Sequence, residues 1–200
     1  MSTVDRHTIA AVYYATRDGQ SRRIAEHISR RLAESEISAP ARDIAAAPPP
    51  PSELAAAAAV IVVAAVRYGR HLPEADRFLA AYRALPSPPP LALASVNLTA
   101  RKAGKTTIAG NVYLRKAIAR HRLEPAVAVA FAGRLDYRLY GALDRQIIRF
   151  IMLLTGGPTD PDARIEYTSW PAVDAFAASI VELIRRRNAP PGANSDSVRA

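Results

Sequence analysis

"YYATRDGQSRRIAEHI" occupies residues 13–28. The apolar run that leads into it, "TIAAVYY" (8–14), stops at a small polar loop, and from Gly19 a helical pattern sets in with Ile24, Ile28 and Leu32 along one face. A short apolar run with β-branched and aromatic residues reads as a buried strand. The same alternation recurs down the chain. "AAVIVVAAV" (58–66), "LALASVN" (91–97) and "AVAVAFAG" (126–133) read as further buried strands, while "ISAPARDI" (37–44), interrupted by Pro40, reads as a weaker strand at a sheet edge. Helices are expected over 73–85, opened by Pro73, over 106–121 despite Gly110, and over 170–186, with Val173, Phe176, Ile180 and Ile184 aligned. "PPPPSE" (48–53) reads as a linker-like break, "SPPP" (87–90) as a stop, and 188–200 as a polar tail after a domain of residues 1–187. Strands without polar alternation are buried on both faces. Five of them, alternating with helices, imply an α/β three-layer sandwich around a five-stranded parallel sheet.

In such sheets ligands sit beyond the carboxyl ends of the strands, which directs attention to the loops near 15, 66, 97 and 133. The first, "ATRDGQS", offers the Thr16 and Ser21 hydroxyls and a tight turn at Gly19, and opens into a helix N-terminus whose free amides favour a phosphate. A plain capping turn would read the same way. No dinucleotide G-x-G-x-x-G is present, and "GKT" (104–106) is no nucleotide-triphosphate loop, because Thr99 stands where the first glycine is required. The second loop, "VRYGRHL" (66–72), carries Tyr68 and Gly69, suited to stacking on a planar ring or to an ordinary turn with a packed tyrosine. The third, "NLTARKAGK" (97–105), carries Asn97, Thr99 and amides that can bond a heteroaromatic edge or close a loop.

The absence of cysteine removes disulfides, thiolate chemistry and iron–sulfur clusters, and four histidines without ligand-like spacing argue against a metal site. No apolar stretch is long enough to span a bilayer, and the N-terminus lacks a signal-peptide core, so the expected location is cytoplasmic. The net charge of +9 is concentrated. Residues 97–150 hold 11 Lys/Arg against 3 Asp/Glu, which marks a surface for phosphates, anionic lipid or carboxylates. No nucleic-acid motif accompanies it. Between Gly133 and Trp170 lie 36 residues, too many for a simple crossover. A helix is expected there over about 139–154, ended by Gly156 and Gly157, with Arg138, Arg145 and Arg149 on one face. Such a helix can lie in a bilayer interface or can pack its Ile147, Ile148, Ile151 and Leu154 on the sheet with its arginines in water.

Taken together, "YYATRDGQSRRIAEHI", "VRYGRH", "SVNLTARK", "FAGRLDYRLYGALDRQIIRFIMLLTGG" and "YTSWPAVDAFA" resemble, in order and spacing, the flavodoxin-like menaquinone-dependent protoporphyrinogen IX dehydrogenase family over about residues 8–186. Ala15 departs from the serine common at that position, and Ser21 from a threonine. The resemblance implies a flavodoxin-like fold with a long insertion at about 134–165 and FMN as cofactor. It implies oxidation of protoporphyrinogen IX to protoporphyrin IX for haem biosynthesis, with electrons passed to menaquinone or another quinone. Thr16, Arg17, Asp18, Gly19, Gln20 and Ser21 would hold the FMN phosphate; Arg67, Tyr68 and Gly69, with Asn97, Leu98, Thr99, Ala100 and Arg101, would surround its ring. Arg134, Asp136, Tyr137 and Arg138 would serve the substrate, since arginine suits the two propionates of a porphyrinogen. No side chain is assigned as an acid or base. A quinone acceptor implies peripheral contact with the cytoplasmic face of the membrane; a homo-oligomer is compatible with the sequence. The alternative is another flavodoxin-fold FMN quinone reductase or electron-transfer protein.

Overall fold

The computed structural model describes residues 8–136, 146–147, 153, 160 and 164–189. The helix expected over 139–154 and the tail therefore lie almost wholly outside the described residues. Five parallel strands form the central sheet. In chain order they are β2 (Ala11–Ala15), β4 (Ala41–Asp43), β5 (Val60–Arg67), β7 (Leu91–Val96) and β8 (Val127–Phe131), arranged in space as β4-β2-β5-β7-β8. Short β1 (Thr8–Ile9) and β3 (Ile37–Ser38) pair beside this sheet, and β6 (Arg70–His71) turns back antiparallel onto β5. Pro40 lies between β3 and β4 and splits the edge strand, as a residue without an amide proton should.

Residues 60–64 of β5 are completely buried because both sheet faces are covered. Alternate strand residues serve alternate layers. Val12, Ile61, Val63 and Ala94 pack with α1 (Gln20–Ala33) and the closing helix α5 (Trp170–Asn188), through Ile24, Ile28, Phe176 and Ile180. Tyr13, Val62 and Leu93 pack on the other face with α2 (Pro51–Ala56), α3 (Pro73–Arg83) and α4 (Val112–His121). Burial of one such aliphatic side chain is worth about 1.5–3 kcal/mol. The structure thus has the expected three layers.

Two local expectations are corrected. "PPPPSE" is not only a break: Pro51, at the first position of α2, starts a short helix that buries Leu54. A fixed φ suits a first helical turn as well as it suits a linker. The helix expected from 106 starts at Val112. Asn111 caps it by accepting from the amides of Tyr113 and Leu114 at 3.2 and 3.1 Å, and Gly110 lies so close to the Gly104 carbonyl that a Cβ would approach the oxygen to 1.7 Å. The expected insertion after β8 opens and closes on an antiparallel ladder between β9 (Arg134–Asp136) and β10 (Arg164–Glu166), with Leu135 opposite Ile165.

Candidate functional site

The carboxyl ends of β2, β5, β7 and β8 converge on one cavity. Thr16, Arg17, Asp18, Gln20 and Ser21 of the first loop line it, as do Arg67, Tyr68 and Gly69 of the second, Asn97, Leu98, Thr99 and Arg101 of the third, and Arg134. Of the expected cofactor positions, Gly19 and Ala100 are not in its wall. They shape the loops instead. Gly19 takes φ +82°, a left-handed conformation, and its amide donates to Thr16 Oγ1 at 3.0 Å. Helix α1 then begins without a side-chain cap and without an acidic residue in its first turn, so its amides face the cavity end unanswered. Ser21 Oγ is buried and has no hydrogen-bond partner among the described residues. A buried hydroxyl is seldom left this way, and an orphaned donor beside bare helix amides fits the phosphate of a mononucleotide.

The second loop is a two-residue hairpin, with Arg67 opposite Arg70. Tyr68 and Gly69 both have positive φ, 51° and 78°, the signature of a type I′ turn. Asparagine or aspartate is the usual first residue there. A tyrosine in this conformation is uncommon and costs energy, yet Tyr68 stays 52% exposed at the cavity rim. Beside it the Arg67 guanidinium lies 5.4 Å from its ring centroid and donates from Nη1 to both Asp18 carboxylate oxygens, at 2.9 and 3.1 Å.

The third loop is held from within. Asn97 Oδ1 accepts from the Ala100 amide at 3.2 Å, capping the 3-10 turn Leu98–Arg101, and from Asn111 Nδ2 at 3.1 Å. Its Nδ2 donates to Ser95 Oγ at 3.1 Å, and Ser95 Oγ meets His71 Nε2 at 2.9 Å. Burial pushes the His71 imidazole down to about 4, so the ring is neutral. The Asn97 side chain thus closes the loop, which leaves loop amides to meet a ring edge. Gln20 is likewise occupied. Its Nε2 donates to Glu166 Oε1 at 3.0 Å and Thr168 Oγ1 at 2.9 Å, tying the start of α1 to the far end of the insertion.

Among the substrate positions, Arg134 lines the cavity, whereas Asp136 is buried behind it, paired with Arg134 and 3.8 Å from Arg164 Nε. Tyr137 and Arg138 lie outside the described residues. Sequence reasoning passed over Ala65, Val66, Val96, Tyr113 and Gly133, which complete the wall. All but Tyr113 sit at strand ends beside the chosen loops, a signal that was there to use; Tyr113 reaches the site only through the crossover of α4. No group of three or more metal-ligating side chains occurs among the described residues.

Residues 11–162 match the flavodoxin domain family. The backbone superimposes on oxidised flavodoxin 1 from Bacillus cereus with a TM-score of 0.53 and 17% identity, over 87% of this chain and 97% of that one. It also superimposes on rubredoxin oxygen:oxidoreductase from Desulfovibrio gigas with a TM-score of 0.56 and 13% identity, over 92% of this chain and 37% of that one. In sequence it is 37% identical over 171 residues to a protoporphyrinogen IX dehydrogenase (quinone) of Leishmania major, covering 85% of this chain and 73% of the relative. Against the protein of that name from Escherichia coli strain K12 it is 34% identical over 172 residues, 86% of this chain and 94% of the relative. Domain match and relatives agree along most of the sequence, and the chain belongs to the flavodoxin-domain family of protoporphyrinogen IX dehydrogenases (quinone).

Proposed function

We propose that this chain oxidises protoporphyrinogen IX to protoporphyrin IX with FMN as cofactor and a quinone, menaquinone or another, as acceptor, a step of haem biosynthesis. The reading is carried by the convergence of three loops on one cavity whose helix end holds an unpartnered Ser21 hydroxyl. Bound FMN supplies a two-electron carrier that a porphyrinogen can reduce and a quinone can reoxidise. Three such two-electron oxidations remove six hydrogens from the porphyrinogen and convert three quinones to quinols.

The chain's own residues bind, orient and exclude water. Thr16, Ser21 and the first amides of α1 hold the phosphate. Arg67, Tyr68 and Gly69, with Asn97, Leu98, Thr99 and Arg101, enclose the ring, with Tyr68 supplying a stacking face and Arg67 kept in place by Asp18, while Ala100 shapes the third loop. Arg134 faces the substrate, Asp136 orients Arg134, and Tyr137 and Arg138 follow by sequence position. No described side chain is required as an acid or base. No helix among the described residues is long and apolar enough to cross a membrane; the quinone is met through peripheral contact of the insertion at the cytoplasmic face.

The test is an absorbance spectrum of the purified protein, followed by anaerobic mixing with porphyrinogen, with and without a menaquinone analogue. A flavin spectrum and quinone-dependent appearance of porphyrin fluorescence are expected. A flavin-loaded protein that reduces quinone from reduced nicotinamide, and leaves porphyrinogen untouched, would transfer the chain to the other flavodoxin-fold quinone reductases.

A further inference from the structure

A second cavity, of about 660 Å³, adjoins the first, and Gly69 and Tyr113 belong to the walls of both. It is cationic. Arg70 enters from β6, and Lys116 and Arg120 stand one helical turn apart on α4, against a single carboxylate, Asp76. That carboxylate is already committed, to Arg120 at 2.6 Å and to His121 at 2.9 Å. The side chains of Arg70 and Lys116 have neither a hydrogen-bond nor an ion-pair partner among the described residues. Two exposed cations that line one basin favour an anionic ligand, whose acidic groups gain charge-assisted contacts with them. The basin begins at the Tyr68–Gly69 turn, so a planar ligand lying against Tyr68 would project its substituents into it.

Resting on the function proposed above, we infer that Arg70 and Lys116 form a dicarboxylate subsite that takes the two propionates of the tetrapyrrole, with the macrocycle toward Tyr68. The sequence pointed for this task to Arg134 and Arg138. Arg134, however, has its charge answered by buried Asp136, whereas Arg70 and Lys116 have no such partner among the described residues.

The experiment compares the flavin-loaded protein with its Arg70→Ala/Lys116→Ala and Lys116→Glu variants, with flavin content as the folding control. Turnover is followed with protoporphyrinogen IX and with its dimethyl ester, and binding of protoporphyrin IX is titrated directly by absorbance. The double variant is expected to raise KM for the acid about tenfold, more than it lowers kcat, and to weaken porphyrin binding by a similar factor. The ester should bind wild type about as weakly as the acid binds the variant, and should lose nothing further in the variant. Lys116→Glu should be worse than alanine for the acid alone. Turnover by wild type with equal KM in all variants overturns the subsite, as does an equal loss for acid and ester. Porphyrin binding that depends on these two residues, without any turnover, would keep the subsite and overturn the function proposed above. Absence of both overturns the two together.

Discussion

Arg67 Nη1 donates to both carboxylate oxygens of Asp18, at 2.9 and 3.1 Å, and so fastens the loop after β5 to the loop after β2. The two residues are 49 apart in sequence, and their side chains are only 15% and 29% exposed. A pair this sheltered is screened less than a surface ion pair. Its consequence is geometric, because in the function proposed above one loop serves the phosphate of FMN and the other its ring. Asp18→Asn keeps the shape and removes the charge. It is expected to weaken FMN binding about five- to tenfold by letting Arg67 shift. In an Arg67→Gln background the same change should cost almost nothing. A double-mutant cycle on FMN affinity, by fluorescence titration, measures this. Additive losses would mean that the two residues act separately.

Ser21 gives the most direct test of the phosphate end. Its hydroxyl is buried without a partner, so the apo protein bears a cost that a ligand oxygen can relieve. Ser21→Ala should leave apo stability equal or higher by up to about 1 kcal/mol, and should weaken FMN by roughly fivefold to tenfold. Riboflavin, which lacks the phosphate, should bind both proteins alike. Thermal melts of apo protein and titrations with the two flavins decide it; an equal loss for riboflavin would move Ser21 away from the phosphate.

Tyr68 sets local stability against ligand contact. Its φ of 51° sits at the first central position of a two-residue turn, where asparagine is favoured. Tyr68→Asn is therefore expected to raise apo stability by about 0.5–1 kcal/mol while weakening flavin binding, since the half-exposed ring is lost from the cavity rim. Tyr68→Phe should keep most of the affinity. If Tyr68→Asn were less stable and bound flavin normally, the ring would be a packing element of the hairpin and not a stacking face.

The sheet was legible because its strands are buried on both faces. Runs such as 58–66 have no polar residue to confuse the period, and β5 is found at 60–67. Boundaries failed where a side chain rather than propensity sets the end. The hydrophobic pattern before Val112 continues past the point where Asn111 caps α4, and nothing local reveals that Gly110 lies against the Gly104 carbonyl. At the site, the loop positions could be read from strand ends, but the division of labour within each loop could not. Gln20 and Asn97 line the cavity, and their side chains are also held by protein partners, Glu166, Thr168, Asn111 and Ser95, some of them far away in sequence. The second basin escaped notice for the same reason. Arg70, in the hairpin, and Lys116, in the basic stretch, are unremarkable residues until the crossover brings α4 beside the hairpin.

His71 links these features to pH. Its Nε2 meets Ser95 Oγ at 2.9 Å, and Ser95 in turn holds Asn97, so the neutral ring supports the third loop. Burial pushes its pKa down from 6.5 to about 4; the Asp76 carboxylate pulls the other way, and the nearby His121 adds to the depression. In the unfolded chain the imidazole returns to its ordinary value. Above about pH 6.5 neither state carries the proton and His71 has no effect on stability. Between about pH 6.5 and 4 the unfolded chain binds a proton that the folded chain refuses, so stability falls as pH falls. The loss is about 2 kcal/mol by pH 5. Asp76 and Asp174, whose pKa values are lowered by their partners, add their own losses as they titrate at lower pH. Urea unfolding at pH 7 and pH 5 should show this drop in wild type and a drop smaller by about 2 kcal/mol in His71→Gln, which keeps a polar group toward Ser95. Equal drops in the two proteins would mean that the buried imidazole takes up its proton in the folded state as readily as in the unfolded one.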